Sequence, residues 1–419
     1  MLKVAIVLAA LVSLAGVAGA EPLTLKECLS KAAVSNRGLK ADLYTIGIAK
    51  EQEKIAGSGL RPRVDVQGSY TAQQEAQSFR LDNVTAATQD ADYGAFSLSI
   101  YDTLYDFGRT RAREGAAARQ KDAVIHSYSA DQQDLFLQVV RAYYGILEAE
   151  KVVTAANDEL LSMTSHQRTA QALFDEGVVT RNDLLQAEVR VASARQKLYS
   201  ARNAVENGWL VLNYLTGSPA DVRLPLQEET LPALQPPPAA PDLSRRGELL
   251  ALQDTVAAQD YLVKEAKTNY YPELFVRLGF DYQQNSKVTE QAIMAATVGL
   301  KVNLYDGGAK TSQLRQAVQA RSRAEERLQD LELRVRLELA SARNDLQVAA
   351  ARIKVAEQAI TQGMENLRIT KDRYQEKVGT ATEVVDAQTL LTQVRTDYYQ
   401  SVFDYEVAAA RVKRATGEL

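Results

Sequence analysis

Residues that break helices are scarce in this 419-residue sequence. Its ten prolines lie at 22, 62, 219, 225, 232, 236, 237, 238, 241 and 272, which leaves Arg63–Ser218 and Glu273–Leu419 with none. Proline costs about 3 kcal/mol inside a helix, so stretches this long without one predict long uninterrupted helices. The seven prolines from 219 to 241 predict a linker, 218–241, between two halves. One cysteine, Cys28, excludes an internal disulfide and a cysteine-rich metal site. His126 and His166 fall in predicted helices with no His or Cys partner at ligand spacing. Both read as helix-surface residues, and neither a metal nor another cofactor is expected. A net charge of −4 with both signs interspersed leaves no basic patch for nucleic acid. No set of nucleophile, base and acid stands out, so no catalysis is expected. A run of about 18 apolar residues is also missing beyond the first twenty positions, so no transmembrane helix is predicted.

What is present starts with Lys3, an apolar run from Val4 to Leu14 and Ala18-Gly19-Ala20. This is the pattern of a secretory signal peptide over 1–20, cleaved before Glu21. An exported chain without a spanning helix can still cross a membrane with strands.

The remainder reads as one plan used twice, over 21–217 and 242–419. Leu104-Tyr105-Asp106-Phe107-Gly108-Arg109 returns two hundred positions later as Leu304-Tyr305-Asp306-Gly307-Gly308-Ala309. In the first repeat, apolar residues at helical spacing predict a helix over Thr24–Ile55, with Thr24 and Glu27 as a capping box. A strand hairpin over 62–104 follows. Val64, Val66, Gly68 and Tyr70 alternate with Arg63, Asp65, Gln67 and Ser69, and Phe96, Leu98 and Ile100 with Ser97, Ser99 and Tyr101. Between them 71–92 reads as a polar loop. A long helix is expected over 108–173, with Leu135, Val139, Ala142, Ile146, Ala149, Val153, Ala156, Leu160 and Met163 at heptad spacing. After a turn at 174–181, Asn182 or Asp183 is expected to cap a helix over 182–215. The second repeat gives a helix from 242, a hairpin over 272–304 with a loop at 283–293, a long helix over 308–373 and a helix over 382–416. Its first strand has Phe275 out of pattern.

Four strands with one apolar face cannot close a barrel, and open edges are not tolerated in lipid. If these strands span a membrane, the chain must associate; three copies would supply twelve, within the range of outer-membrane barrels. An exported structural coiled coil or adhesin is the alternative reading, but it has no need of lipid-facing alternation before each long helix.

The signal peptide, the paired Tyr-Asp-x-Gly junctions and the two helix-turn-helix stretches, Phe174-x-x-Gly177 to Ala187 and Tyr374 to Ala387, together resemble the TolC-like outer-membrane efflux protein family. The resemblance implies an α plus membrane-β fold: a homotrimer whose twelve-stranded outer-membrane barrel, four strands per chain, continues into a long α-helical periplasmic barrel. It implies a passive exit duct of a tripartite efflux pump or type I secretion system. The partners would be a periplasmic adaptor and an inner-membrane pump of RND, ABC or MFS type. Adaptor docking would fall on Gly177, Val178, Thr180, Val378, Gly379 and Thr380. The junction between barrel and tunnel would fall on Tyr105, Asp106, Gly108, Tyr305, Asp306 and Gly308, with loops 71–92 and 283–293 facing outside. The acidic gate positions match Glu383 and Asp386, the tethering tyrosine Tyr374, and its acidic partner Asp183. The family's gate arginine position holds Gly379, and Lys377 stands where a turn glycine is usual. A gate held by fewer links is therefore expected, unless Arg181 or Lys377 substitutes.

Overall fold

The computed structural model of the protein describes residues 22–82, 84–228, 243–376 and 378–419; the expected signal peptide, linker residues 229–241 and Lys377 lie outside them. Two compact units are formed, one from residues up to Asp42 with Tyr128–Arg246 and Leu333–Leu419, the other from Leu43–Ser127 and Gly247–Glu332.

Helices α1 (Leu25–Ser35) and α2 (Arg37–Gly57) open the chain. The Thr24 hydroxyl accepts from Glu27 N at 3.2 Å while Thr24 N donates to the Glu27 carboxylate at 2.8 Å, which completes the capping box. The single helix expected over Thr24–Ile55 is broken at Asn36, which is extended (φ −60°, ψ 129°). Its side chain explains the break: Asn36 Oδ1 accepts from Leu39 N at 3.1 Å, capping α2, and Nδ2 donates to Leu215 O at 3.0 Å.

Strands β1 (Arg63–Ala72), β2 (Ser78–Leu81), β3 (Val84–Ala87) and β4 (Asp92–Tyr105) come next. The expected polar loop 71–92 thus contains a small hairpin of its own, β2 paired with β3. Helix α3 (Arg109–Asp175), α4 (Arg181–Thr216) and α5 (Gly247–Thr268) lead to β5 (Glu273–Gln283) and β6 (Ala292–Lys301). Helices α6 (Ala309–Gln375) and α7 (Ala381–Thr416) complete the chain. At 1.5 Å per residue, α3 and α6, 67 residues each, are each about 100 Å long.

In the strand-bearing unit a four-stranded antiparallel sheet has the order β1-β4-β5-β6, so the hairpins of the two repeats join through β4 and β5. Register keeps the alternation in phase across all four strands. Asp65 faces Ser99, Ser99 faces Gly279, and on the other side of the pleat Val66 faces Leu98, Leu98 faces Phe280, and Phe280 faces Met294. One face is therefore mostly apolar, with Asp102 opposite Val276 as an exception, and the other mostly polar, with Ile293 opposite Asp281 as an exception; a slip of one residue in any strand would exchange them. Phe275 falls on the polar face opposite Gly299, stacked on Tyr101 with ring centroids 5.4 Å apart. A Cβ at Gly299 would lie 2.5 Å from the Phe275 ring, so the glycine makes room for the aromatic that broke the pattern. In the same unit α3 meets α5 so closely that a Cβ on Gly115 would lie 2.7 Å from Tyr261.

The helical unit has its main core around Tyr143, Val139, Val140, Ile146, Trp209, Leu212 and Phe403. Side-chain contacts order its long helices as α4, α3, α7, α6. Lys197 of α4 bonds Glu159 of α3 at 2.8 Å, Ser162 of α3 bonds Gln388 of α7 at 3.1 Å, and Leu339, Ala342 and Leu346 of α6 pack on Tyr405, Ala408 and Val412 of α7. The heptad positions Val335, Leu339, Ala342, Leu346, Ala349, Ile353 and Ala356 are all buried. No described helix is long and apolar enough to cross a membrane.

Candidate functional site: helical turns and strand-to-helix junctions

The turn between α3 and α4 closes by backbone bonds, Val178 N to Leu173 O at 2.8 Å and Val179 N to Leu173 O at 3.4 Å, with Gly177 in the left-handed region at φ +74°. The turn between α6 and α7 repeats the pattern two hundred positions on: Val378 N and Gly379 N both donate to Arg373 O, at 3.0 and 3.1 Å. Phe174 packs on Ala170, Leu184 and Ala187, and Tyr374 on the matching Val384 and Ala387. Val178 and Val378 are 61% and 69% exposed, and Thr180 and Thr380 are exposed beside them. Each turn thus holds an uncovered valine and threonine on a hydrogen-bonded backbone.

The N-caps are Thr180 and Thr380, which corrects the expectation of Asn182 or Asp183. The hydroxyl in each competes for the orphan N–H three residues on. Asp183 is the third residue of a capping box. Its carboxylate accepts from Thr180 N at 2.9 Å and Thr180 Oγ1 at 2.7 Å, and these bonds hold its pKa below the usual carboxylate range. Glu383 occupies the same place in α7, but its carboxylate turns elsewhere. Its Oε2 lies 3.5 Å from Arg373 Nη1, while Arg373 Nη2 donates to Val378 O at 3.4 Å. A Cβ at Gly379 would stand 3.2 Å from Arg373 Cβ and 3.3 Å from Glu383 Oε2. Glycine at 379 therefore lets a cation ten residues before Glu383 fold back onto it. Among the described residues the cation beside Glu383 is Arg373, which the sequence reading did not name beside Arg181 and Lys377; Lys377 lies outside the described residues. Asp386, three residues on, is exposed on the same side of α7.

Tyr374 is half-buried. Burial first and the Asp183 charge second push its hydroxyl pKa upward. His166 packs its ring against Tyr374, with centroids 6.0 Å apart at 60°, and burial lowers its pKa. It is a partly buried contact of the turn rather than the surface residue expected. His126, by contrast, lies 3.6 Å from Asp254 between α3 and α5.

At the first junction Asp106 is buried and caps α3. Its carboxylate accepts from Gly108 N at 3.0 Å, Thr110 N at 2.7 Å and Thr110 Oγ1 at 2.6 Å. Burial opposes its ionisation, but the bonds from Thr110 and Gly108 outweigh it and hold the pKa low. Asp306 repeats the cap with one such bond, from Lys310 N at 3.1 Å. The backbone turns through two left-handed residues in each repeat: Phe107 (φ +55°) and Gly108 (+84°), then Gly307 (+71°) and Gly308 (+89°). Phe107 is the exception, since a left-handed non-glycine residue costs roughly 1–2 kcal/mol. Its ring stacks on Tyr271 at 5.0 Å and meets Tyr105 edge-on at 4.8 Å. Two aromatic pairs at about 0.5–1.5 kcal/mol each offset the strain. Beside it Glu273 of β5 accepts from Tyr101 and Thr103 of β4 and pairs with Arg109 of α3. Tyr105 and Tyr305 are 56% and 86% exposed.

The sequence pattern described as Outer membrane efflux protein matches residues 28–218 and 242–418, one stretch for each repeat. This chain belongs to the outer membrane efflux protein family. Among its relatives, the outer membrane efflux protein BepC of Brucella suis is 26% identical, over 94% of this chain and 86% of its own. The alkaline protease secretion protein AprF of Pseudomonas aeruginosa is 26% identical over 79% and 71%. In structure, the outer membrane protein VceC of Vibrio cholerae matches with a TM-score of 0.82 at 19% identity, covering 94% of this chain and 96% of that one. The fold is that of the outer membrane efflux proteins. Within that frame Arg373, His166 and Phe107 are the site residues that sequence reasoning missed. Only Phe107 left a signal, the glycine at its counterpart, Gly307.

Proposed function

We propose that this outer membrane efflux protein is the outer-membrane exit duct of a tripartite efflux pump or type I secretion system, passive and without catalysis of its own. The observation that carries the reading is the sheet: four strands in one register, one face predominantly apolar, with β1 and β6 as open edges. Open edges are incompatible with a lipid environment, so β1 of one copy pairs with β6 of the next, and three copies close a twelve-stranded barrel.

The helical unit supports the same closure. The two helices at its ends carry uncovered apolar seams, Leu185, Val189, Tyr199 and Leu210 on α4 and Leu333, Leu337, Val348 and Val355 on α6, each set on one helical face. The inner seams of both helices are already covered within the chain. Packing α4 of one copy on α6 of the next buries both and makes a continuous helical wall. Val178, Thr180, Val378 and Thr380 then form the adaptor-docking surface at the periplasmic end, next to Gly177 and Gly379. Glu383 and Asp386 of three copies form rings of carboxylates that favour cations, with Tyr374 and Asp183 as the tether and Arg373 as the cation at the gate. An inner-membrane pump of RND, ABC or MFS type delivers the cargo. Relatives named for efflux and for protease secretion leave both kinds of pump as partners.

The test is fractionation and gel mobility. The protein is expected in the outer-membrane fraction as an SDS-resistant, heat-modifiable oligomer; a soluble periplasmic monomer would exclude the duct.

A further inference from the structure

Between α3, α4 and α7, within the helical unit, lies an open cavity of about 590 Å³. Small-ligand sites typically occupy roughly 300–1,000 Å³. Glu159 of α3 lines it and is 5% exposed. Its Oε1 accepts from Lys197 Nζ at 2.8 Å, whereas the buried Oε2 has no hydrogen-bond partner among the described residues. A buried carboxylate oxygen is costly to leave unpaired, and what completes it must be a donor.

The opposite lining asks for the same chemistry. Thr389, Thr392 and Thr396 of α7 each donate to the carbonyl four residues back, Val385 O at 2.9 Å, Gln388 O at 3.0 Å and Thr392 O at 3.0 Å. A hydroxyl has one proton to give, so these three keep only acceptor capacity for a guest, part of which at Thr392 is taken by Gln388 Nε2 at 3.4 Å. Thr389, Gln393 and Thr396 follow Asp386 at helical spacing along α7, which puts the cavity on the helix face that carries the acidic pair.

We infer that this cavity binds a small linear polyamine cation, one ammonium group completing Glu159 and others donating to the threonine hydroxyls. The inference rests on the duct reading for its role, a contact point for cationic cargo in the tunnel wall. Its binding chemistry is independent of transport.

The test is calorimetric titration of the purified protein in detergent with spermidine. Saturable binding at one site per chain is expected. Glu159→Gln should weaken it at least tenfold and Thr392→Val, which removes an acceptor at nearly constant shape, severalfold. The Glu383→Gln/Asp386→Asn double variant should keep the site. Absence of binding in the wild type, equal binding in Glu159→Gln and Thr392→Val, or a loss confined to the double variant would overturn the inference. If Glu159→Gln fails to assemble, Thr392→Val decides. A chain that binds spermidine in this way yet forms no channel defeats the duct reading and leaves the site standing.

Discussion

At the scale of single residues, the two junctions carry the same cap with different strength. Asp106 accepts three hydrogen bonds from the start of α3, and Asp306 accepts one at the start of α6. Asp106→Ala is expected to cost about 1–2 kcal/mol in chemical unfolding, and Asp306→Ala clearly less. The lowered pKa of Asp106 fixes the sign with pH. Its contribution is full above the unfolded carboxylate value, about 3.9, and is lost as pH falls through the lower folded value. The gap between wild type and Asp106→Ala should therefore close below about pH 4. At the other turn, Gly379→Arg would drive a side chain into the space where Arg373 meets Glu383. Single-channel conductance in planar bilayers should fall, because a second cation adds a link at the gate; unchanged or higher conductance would contradict this. The Arg373–Glu383 pair itself is half-exposed and worth about 0–1 kcal/mol. Arg373 was illegible in the sequence because its partner lies across a turn, and contacts across a turn follow no helical spacing. Phe107 was illegible because its left-handed backbone is stabilised by Tyr271, far away in the chain.

At the scale of elements, period-two alternation marked β1, β4 and β6, and long proline-free heptads marked α3 and α6, because in both cases one face of a regular element must be buried or face lipid. What periodicity could not show was the break at Asn36, since neither proline nor glycine makes it; the cause is a side chain that bonds Leu39 and Leu215. The β2–β3 hairpin escaped for a related reason. Its residues are exposed on both faces, so burial imposed no alternation to read. The uncovered seams of α4 and α6 give a prediction that belongs at this scale. Leu337→Glu, on the exposed seam of α6, should leave helix content by circular dichroism unchanged while the SDS-resistant oligomer is lost or melts at lower temperature. The same change at Leu339, which packs on α7 within the chain, should instead unfold the helical unit. Equal effects at the two positions would show that the α6 seam is not an intersubunit surface.

At the scale of the whole molecule, the duplication is the organising fact. Two copies of strand hairpin and helix pair give one sheet with two open edges and one helical set with two open seams, and the proposed association would remove both kinds of opening. In the proposed trimer the acidic pair of α7 would dominate the lining of the passage, with three copies of Glu383 and Asp386 around one axis. The measurement that tests this most directly is the reversal potential of single channels in planar bilayers under a KCl gradient. Wild-type protein is predicted to form long-lived channels selective for cations, with selectivity reduced severalfold in the Glu383→Gln/Asp386→Asn variant. No channel activity, or a selectivity that the double substitution leaves untouched, would contradict the account.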